Sequence, residues 1–101
     1  MILMYNYCVY ILECSDGSYY TGVTNDVDRR FGEHQSGFDT SSYTYSRRPV
    51  KLVYAQFFDS PSAAIEFEKR VKGWSRAKKE ALINEEFHRL PELSKNRQGD
   101  N

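Results

Sequence analysis

Five residues between positions 10 and 68 have side chains that could act on a phosphate ester. They are two tyrosines, an arginine, a histidine and a glutamate: Tyr10, Tyr20, Arg30, His34 and Glu68. Hydrolysis of a phosphodiester needs a cation near the developing charge, a positioned and deprotonated water, and help for the leaving oxygen. Arginine binds phosphate oxygens as a planar fork, a carboxylate is a usual protein ligand of Mg²⁺, and a tyrosine beside cations can accept a proton.

Helical periodicity places the arginine and the histidine on an apolar face. In the segment 26–36, Arg30 and His34 share the side on which Val27 and Phe31 turn inward. The neighbouring Arg29 points to the far side of the same helix. We therefore expect Arg30, and not Arg29, to face the interior.

The same pattern recurs in a second predicted helix. Glu68 falls inside the apolar arc formed by Ala64 and Val71, whereas Glu66 falls outside it. A carboxylate that faces a core is costly unless it is paired, protonated or bound to a metal. One interpretation is a purely structural ion pair between Arg30 and Glu68, with His34 a hydrogen-bonded structural histidine and both tyrosines ordinary strand aromatics. The other is that these residues form one chemical set.

A predicted hairpin must position the two tyrosines. Residues 7–13 and 19–24 are rich in aromatic and β-branched residues and flank a turn signal at 15–18. A two-residue turn would pair Leu12 with Thr21 and put Tyr10 and Tyr20 on opposite faces. A three-residue turn with Gly17 in the left-handed conformation would pair Leu12 with Tyr20 and put both tyrosines on one face. The second arrangement is the favoured prediction.

The remaining elements follow from capping and turn residues. A helix over 26–36 should begin at Asn25 or Thr24 and end at Gly37, and a polar loop should span 38–46. Further along we expect a strand, a helix started by Ser60-Pro61 and ended at Gly73, and a third helix capped by Ser75: residues 51–58, 61–72 and 76–84.

Composition limits the molecule to one small globular domain. The chain has 101 residues, of which 14 are Lys or Arg and 14 are Asp or Glu, so its formal net charge is zero. This balance excludes a polybasic mode of DNA binding, and any nucleic acid must be held by local patches. We expect the domain to cover residues 1–90 and a polar, disordered tail to cover residues 91–101.

The two cysteines and the N-terminal segment indicate a compartment. Cys8 and Cys14 are too far apart along one strand for a disulfide, and two thiols are too few for a zinc site. No apolar run reaches the length of a membrane span, and the first residues do not fit a signal peptide. We therefore expect a reduced, cytoplasmic protein with no membrane partner.

Two short motifs carry a family resemblance. Cys8-Val9-Tyr10, followed after the hairpin turn by Tyr20-Thr21-Gly22, resembles the paired motif that names the GIY-YIG nuclease superfamily. The resemblance extends over roughly residues 7–84, and it is closest to small stand-alone bacterial members related to the N-terminal domain of the excinuclease C subunit. The first motif departs from the family at Cys8 and Val9, and the second departs at Thr21.

The resemblance implies an α/β fold, a small antiparallel three-stranded sheet flanked by about three helices. It implies a metal-dependent endonuclease that hydrolyses phosphodiester bonds in DNA, with one Mg²⁺ or Mn²⁺ on Glu68. By position it implies that Tyr10, Tyr20, Arg30 and His34 are catalytic, without deciding which tyrosine is the base. The late asparagine of larger members falls on Asn84 or Asn96. Nucleases of this type usually take their specificity from an attached domain, so a targeting protein partner is expected.

Clusters of basic residues are the candidate DNA-binding surface. One cluster lies between positions 69 and 79 and another in the loop before the third strand, and together they give the candidates Arg47, Arg48, Lys69, Lys72, Arg76 and Lys78. Trp74, Tyr43 and Tyr45 could stack on bases. The alternative function is a non-catalytic nucleic-acid-binding or adaptor module on the same fold.

Overall fold

A computed structural model describes residues 7–91 and 93 of the chain. Three strands and three α-helices form it: β1 (Tyr7–Glu13), β2 (Tyr19–Thr24), α1 (Val27–Ser36), β3 (Lys51–Phe58), α2 (Pro61–Lys72) and α3 (Arg76–Ile83). The strands pair antiparallel in the order β2-β1-β3, which puts β1 at the centre of the sheet. The predicted α/β fold with a three-stranded antiparallel sheet is confirmed. Of the predicted tail, residues 92 and 94–101 lie outside the described residues.

The hairpin between β1 and β2 has the favoured register. Leu12 pairs with Tyr20 and Tyr10 pairs with Gly22. Gly17 has a φ of 86°, a left-handed value that glycine adopts without steric cost, and the Cys14 N–H donates to the Ser18 carbonyl at 2.8 Å. Because alternate residues of a strand face opposite sides, Tyr10 and Tyr20 share one face of the sheet.

The helix ends follow the predicted capping residues, with one correction. The N-cap of α1 is Asp26, whose carboxylate accepts the Arg29 N–H at 3.1 Å, and not Asn25 or Thr24. Asp26 is a better N-cap than Asn25 or Thr24 because its charged carboxylate also interacts favourably with the positive end of the helix dipole. Gly37 ends α1 with a φ of 74°, and Ser60 and Ser75 cap α2 and α3 as predicted.

The segment predicted as a polar loop contains a structured turn. A 3₁₀ helix covers Tyr45–Arg47, and its preceding residue Thr44 is only 1% exposed. The Thr44 carbonyl accepts the Arg47 N–H at 2.9 Å. A second 3₁₀ turn, Phe87–Arg89, follows α3 and was also not predicted.

Alternate side chains of β1 form two separate cores on the two faces of the sheet. On one face Cys8, Tyr10 and Leu12 pack with Val27 and Phe31 of α1. On the other face Ile11 packs with Val71 of α2 and Leu82 of α3, joined by half-buried aromatics that include Phe67 and Trp74. Helix α1 therefore covers one face of the sheet, whereas α2 and α3 cover the other.

The two cysteines are free thiols, and the structure buries both: Cys8 lies in β1, whereas Cys14 lies just after the strand in which it was predicted. Burial raises the pKa of both thiols above the ordinary value. Among the helices that the structure describes, none is long and apolar enough to cross a bilayer.

Candidate active site

Tyr10 forms the buried end of a chain of polar side chains. The residue is 1% exposed, and its ring lies across Gly22 on the neighbouring strand, where any larger side chain would collide with it. The Tyr10 hydroxyl is 3.0 Å from Nε2 of His34. The absence of a side chain at Gly22 thus lets a strand tyrosine reach a histidine on α1.

The second nitrogen of His34 is also engaged. Its Nδ1 is 2.7 Å from the hydroxyl oxygen of Thr44, which in turn lies 3.1 Å from Oγ of Ser42. The sequence predicted that His34 faces inward, and the structure shows what it meets. Both imidazole nitrogens have a hydroxyl partner, so the orientation of the ring is fixed.

Burial favours the uncharged form of both Tyr10 and His34. It raises the pKa of Tyr10 well above the ordinary value, the charge of Tyr20 adds to the rise, and Arg30 opposes it. It lowers the pKa of His34, with Arg30 adding to the effect and Glu33 and Asp39 opposing it. At neutral pH the phenol of Tyr10 is therefore protonated and the imidazole of His34 is neutral.

Arg30 and Arg29 point in the different directions that the helical pattern predicted. The Arg30 side chain is 36% exposed and its Nε is 3.1 Å from Glu33, while its guanidinium is close enough to the Tyr10 hydroxyl to lower the pKa of that phenol. Arg29 is 51% exposed and pairs with Asp26 and Glu33 along the surface. With Nε engaged by Glu33, the terminal nitrogens of Arg30 are the ones left to bind a phosphate.

An open cavity of about 540 Å³ brings several of these residues together. Its walls come from β2, α1 and the segment after α1: Tyr20, Arg30, Glu33, His34, Phe38, Asp39, Ser41, Ser42, Tyr43 and Thr44. The ring of Tyr20 lies 5.1 Å from that of His34 and stacks on Tyr43, with 6.1 Å between centroids. Tyr10 lies behind this wall, with its ring centroid 5.9 Å from that of His34. The cavity combines a cation, a phenol and an imidazole at one open surface.

Glu68 occupies a different place from the other four predicted residues. Its side chain is 10% exposed, against 74% for Glu66, which confirms the predicted difference between the two glutamates. Its carboxylate lies 3.1 Å from the ammonium group of Lys72, one turn further along α2. Since α2 covers the opposite face of the sheet from α1, Glu68 does not line the cavity.

The structural ion pair considered as an alternative is not formed. Arg30 is paired with Glu33 and Glu68 with Lys72, each with a residue on its own helix. The inward position of Arg30 is explained by the polar cluster around Tyr10 and His34 rather than by Glu68.

The chemistry of Glu68 fits a divalent cation only as a single protein ligand. Mg²⁺ and Mn²⁺ prefer carboxylate oxygens, and Mg²⁺ is commonly held by one or two carboxylates together with waters and substrate phosphates. Within residues 7–91 and 93, no three histidine, cysteine or acidic side chains come together as a metal site. A cation on Glu68 would have to share its carboxylate with Lys72.

The basic residues predicted to bind DNA are divided between the two faces. Arg47 and Arg48 belong to the segment beside the cavity, whereas the other four lie on the α2 and α3 side: Lys69, Lys72, Arg76 and Lys78. Arg47 pairs with Asp16 and donates to the Tyr43 carbonyl at 2.7 Å, and Arg48 donates to the Tyr45 carbonyl at 2.8 Å. Of the other group, Lys72 pairs with Glu68.

The aromatic residues predicted to stack on bases already contact cations of the protein. The guanidinium of Arg47 lies 3.8 Å from the ring centre of Tyr43, and that of Arg48 lies 4.6 Å from the ring centre of Tyr45. Lys78 lies 4.2 Å from the ring centre of Trp74. A base would have to displace these cations or use another ring, such as Phe38, which lines the cavity and is 75% exposed.

Two residues that hold the site in place were not among the residues predicted from the sequence: Thr44, which contacts His34, and Glu33, which pairs with Arg30. Glu33 had a detectable signal, because its position three residues after Arg30 allows an ion pair within the helix. Thr44 had none, since a threonine in a polar loop gives no sign that it is buried.

The family of the chain follows from its similarity to known domains. The model of the GIY-YIG catalytic domain matches residues 6–81, which include β1, β2, α1 and Glu68. The chain belongs to the GIY-YIG family. The matched range contains both the cavity residues and Glu68, so they belong to one domain. The family supports a nuclease-type role. GIY-YIG nucleases generally depend on a divalent metal.

Proteins similar to this chain are also small. A UPF0213 protein of Halobacterium salinarum is 55% identical over 75 residues, which cover 74% of this chain and 96% of that protein. The solution NMR structure of a UPF0213 protein from Bacillus halodurans has a TM-score of 0.52 at 51% identity, covering 78% of this chain and 83% of that one. The solution NMR structure of a protein from E. faecalis has a TM-score of 0.59 at 36% identity, covering 87% and 92%.

Proposed function

We propose that this protein is a divalent-metal-dependent endonuclease that hydrolyses phosphodiester bonds in DNA, in a repair-type or structure-selective role in the cytoplasm. The observation that supports this most is the open cavity in which Arg30, His34 and Tyr20 meet. A cation and two proton-handling groups at one open surface are what hydrolysis of a phosphodiester requires from the protein. Membership of the GIY-YIG family adds to this support.

In the proposed reaction Arg30 binds the scissile phosphate. Its terminal nitrogens donate to the non-bridging oxygens and stabilise the charge that grows as water attacks phosphorus. The bond from phosphorus to the leaving oxygen breaks, and that oxygen takes a proton from solvent. Loss of one such electrostatic donor typically slows a reaction by about 10²–10³-fold.

Of the two tyrosines, Tyr20 is the proposed proton acceptor for the attacking water. It is half-buried and lines the cavity, whereas Tyr10 is 1% exposed and its hydroxyl is engaged by His34. Arg30 lies in the same wall of the cavity, where it can hold the phosphate near Tyr20. Tyr10 and His34 then position Arg30 rather than touch the water.

Glu68 is the proposed protein ligand of one Mg²⁺ or Mn²⁺. When bound, the cation would supply Lewis-acid chemistry to phosphate oxygens that reach the α2 face of the sheet, where Glu68 lies opposite the cavity. Glu68 contributes a hard oxygen donor whose charge Lys72 compensates in the free protein. A targeting protein partner is proposed as the source of specificity, because the overall charge of the chain is zero.

A comparison of adjacent arginines tests the function. Arg30→Ala should lower the rate of DNA cleavage in Mg²⁺ or Mn²⁺ by about 10²–10³-fold, measured on a panel of duplex, single-stranded and branched DNA. Arg29→Ala, one residue away on the exposed side of α1, is the matched control and should cleave at the wild-type rate. Equal rates for Arg30→Ala and wild type would refute the assignment.

A comparison of two glutamates tests the metal site without relying on turnover. Mn²⁺ bound at Glu68 should broaden the amide NMR signals of α2 around that residue, because the ion is paramagnetic. Glu68→Gln should abolish the broadening and Glu66→Gln should retain it. Broadening that survives in Glu68→Gln would place the metal elsewhere.

The second candidate function is a nucleic-acid-binding or adaptor module without cleavage activity. The observation that favours it is the pairing of Glu68 with Lys72 on the other face of the sheet from Arg30. This candidate predicts that the wild-type protein binds DNA in the same assay panel and leaves it uncut at every metal concentration.

A further inference from the structure

A chain of four polar groups leads from the wall of the cavity into the loop after α1. The guanidinium of Arg30 is near enough to the Tyr10 hydroxyl to lower the pKa of that phenol. The same hydroxyl is 3.0 Å from Nε2 of His34, and Nδ1 of His34 is 2.7 Å from Oγ1 of Thr44. Tyr10 and Thr44 are each 1% exposed, so water cannot readily substitute for either partner.

The donors and acceptors along this chain can be satisfied in one direction. A guanidinium has only donors, so the nearby Arg30 can interact favourably with the Tyr10 hydroxyl only at its oxygen. The hydroxyl proton of Tyr10 then needs an acceptor of its own, and Nε2 of His34 is the nitrogen within reach. A neutral imidazole that accepts at Nε2 carries its proton at Nδ1, which faces Thr44.

The far end of the chain can take up the last proton. Oγ1 of Thr44 accepts from His34, and its own hydroxyl proton can be donated to Oγ of Ser42, 3.1 Å away. In the opposite direction His34 would donate to the Tyr10 oxygen, and the buried Tyr10 proton would be left without an acceptor. A buried polar group without a partner is disfavoured.

We propose that Thr44 is a positioning residue that holds His34 as the Nδ1–H tautomer, so that Nε2 accepts the proton of Tyr10 and the Tyr10 oxygen is presented to Arg30. Thr44 touches no substrate in this arrangement. It acts through His34 and Tyr10 on the orientation of the arginine. This part of the inference, which concerns the cleavage rate, rests on the proposed function, whereas the tautomer itself does not.

The tautomer can be measured directly in the wild-type protein. Two-bond nitrogen–proton NMR spectra distinguish a protonated from an unprotonated imidazole nitrogen. We expect His34 to be protonated at Nδ1 and unprotonated at Nε2 near neutral pH. The other histidine of the chain, the exposed His88, provides an internal reference. A wild-type His34 that carries its proton at Nε2 would overturn the proposal without any variant.

Two substitutions test whether Thr44 is the cause. Thr44→Val has nearly the same shape but no hydroxyl, and it should shift His34 towards the Nε2–H tautomer. It should also lower the cleavage rate by about 10–100-fold, the size of effect known for groups that orient a metal-bound histidine. Thr44→Ser restores the hydroxyl and should restore both properties. If Thr44→Val does not fold, Thr44→Ala and the wild-type tautomer supply the same comparison.

The two readouts separate failure of this inference from failure of the proposed function. An unchanged His34 tautomer in Thr44→Val refutes the role of Thr44, whether or not the protein cleaves DNA. A changed tautomer with an unchanged cleavage rate refutes the positioning of Arg30. A wild-type protein that shows the Nδ1–H tautomer but cuts no DNA refutes the nuclease proposal and leaves the tautomer assignment supported.

Discussion

Tyr10 and Tyr20 stand on the same face of the sheet and differ in what surrounds their hydroxyl groups. Tyr20→Phe should lower kcat by about 10²–10⁴-fold with little change in stability, because the residue lines the cavity and is proposed to accept a proton. Tyr10→Phe should lower the free energy of unfolding by about 1–3 kcal/mol, because it leaves the half-buried His34 without the partner of its Nε2. Cleavage kinetics and urea unfolding of both variants measure these effects. A larger loss of kcat for a fully stable Tyr10→Phe would reverse the proposed roles.

The lowered pKa of His34 makes a prediction about stability and pH. An unfolded histidine titrates near 6.5, whereas burial and Arg30 lower the pKa of His34 in the folded state. Below about pH 6.5 the unfolded chain therefore binds more protons than the folded one, and the free energy of unfolding should fall as the pH drops from 6.5 towards the folded pKa. Urea unfolding at several pH values measures this fall. It should be smaller in His34→Gln, and an equal fall in that variant would assign the effect to other groups.

At the level of single residues, the sequence predicted which side chains face inward but not which residues they contact. The choices of Arg30 over Arg29 and of Glu68 over Glu66 came from helical periodicity, and their burial confirms both. The ion pair between Arg30 and Glu68 was wrong as an alternative, because periodicity gives the inward face of each helix but not the face of the sheet that the helix covers. That difference separates Glu68 from the cavity.

Gly22 in β2 and Gly32 in α1 differ in whether the site needs the absence of a side chain. At Gly22 in β2 an added methyl group would collide with the Tyr10 ring and hydroxyl. Gly22→Ala should therefore lower stability by about 1–3 kcal/mol and displace Tyr10 from His34. Gly32 in α1 has open space around it, so Gly32→Ala should raise stability by about 1 kcal/mol through helix propensity.

Thermal or urea unfolding of the two glycine variants gives both signs in one experiment. Their cleavage rates should also differ, with Gly32→Ala near the wild-type value. A stable and fully active Gly22→Ala would contradict the idea that the tyrosine needs the space at this glycine.

At the level of elements, local signals predicted almost the whole secondary structure. The hairpin register followed from Gly17, and the ends of α2 and α3 followed from Ser60, Gly73 and Ser75. The segment 38–46 was predicted only as a polar loop, because its serines and threonines bond to local groups in many conformations. The burial of Thr44 accompanies its hydrogen bond to His34 on α1, a tertiary contact that no local sequence rule predicts.

At the scale of the whole molecule, basic residues lie on both faces of the sheet, and salt dependence can show which face binds DNA. If the backbone of DNA crosses the cavity, Arg48 should contact a phosphate and Lys69, on the side of α2, should not. Arg48→Ala should then reduce the slope of log K against log salt by about 1, and Lys69→Ala should leave it unchanged. Binding measured at several salt concentrations tests this, and the reverse result would move the DNA to the helices α2 and α3.

The strand order of the sheet has a consequence for the emergence of the chain from the ribosome. β1 is synthesised first, yet it is the central strand and pairs on one side with β2 and on the other with β3, which begins only at Lys51. The hairpin can close by local contacts as soon as Thr24 is available. The other edge of β1 stays unpaired while α1 and the loop after it, which line the cavity, are still being translated. A nascent chain paused before Phe58 would therefore carry an open, apolar strand edge, which is the kind of surface that chaperones bind.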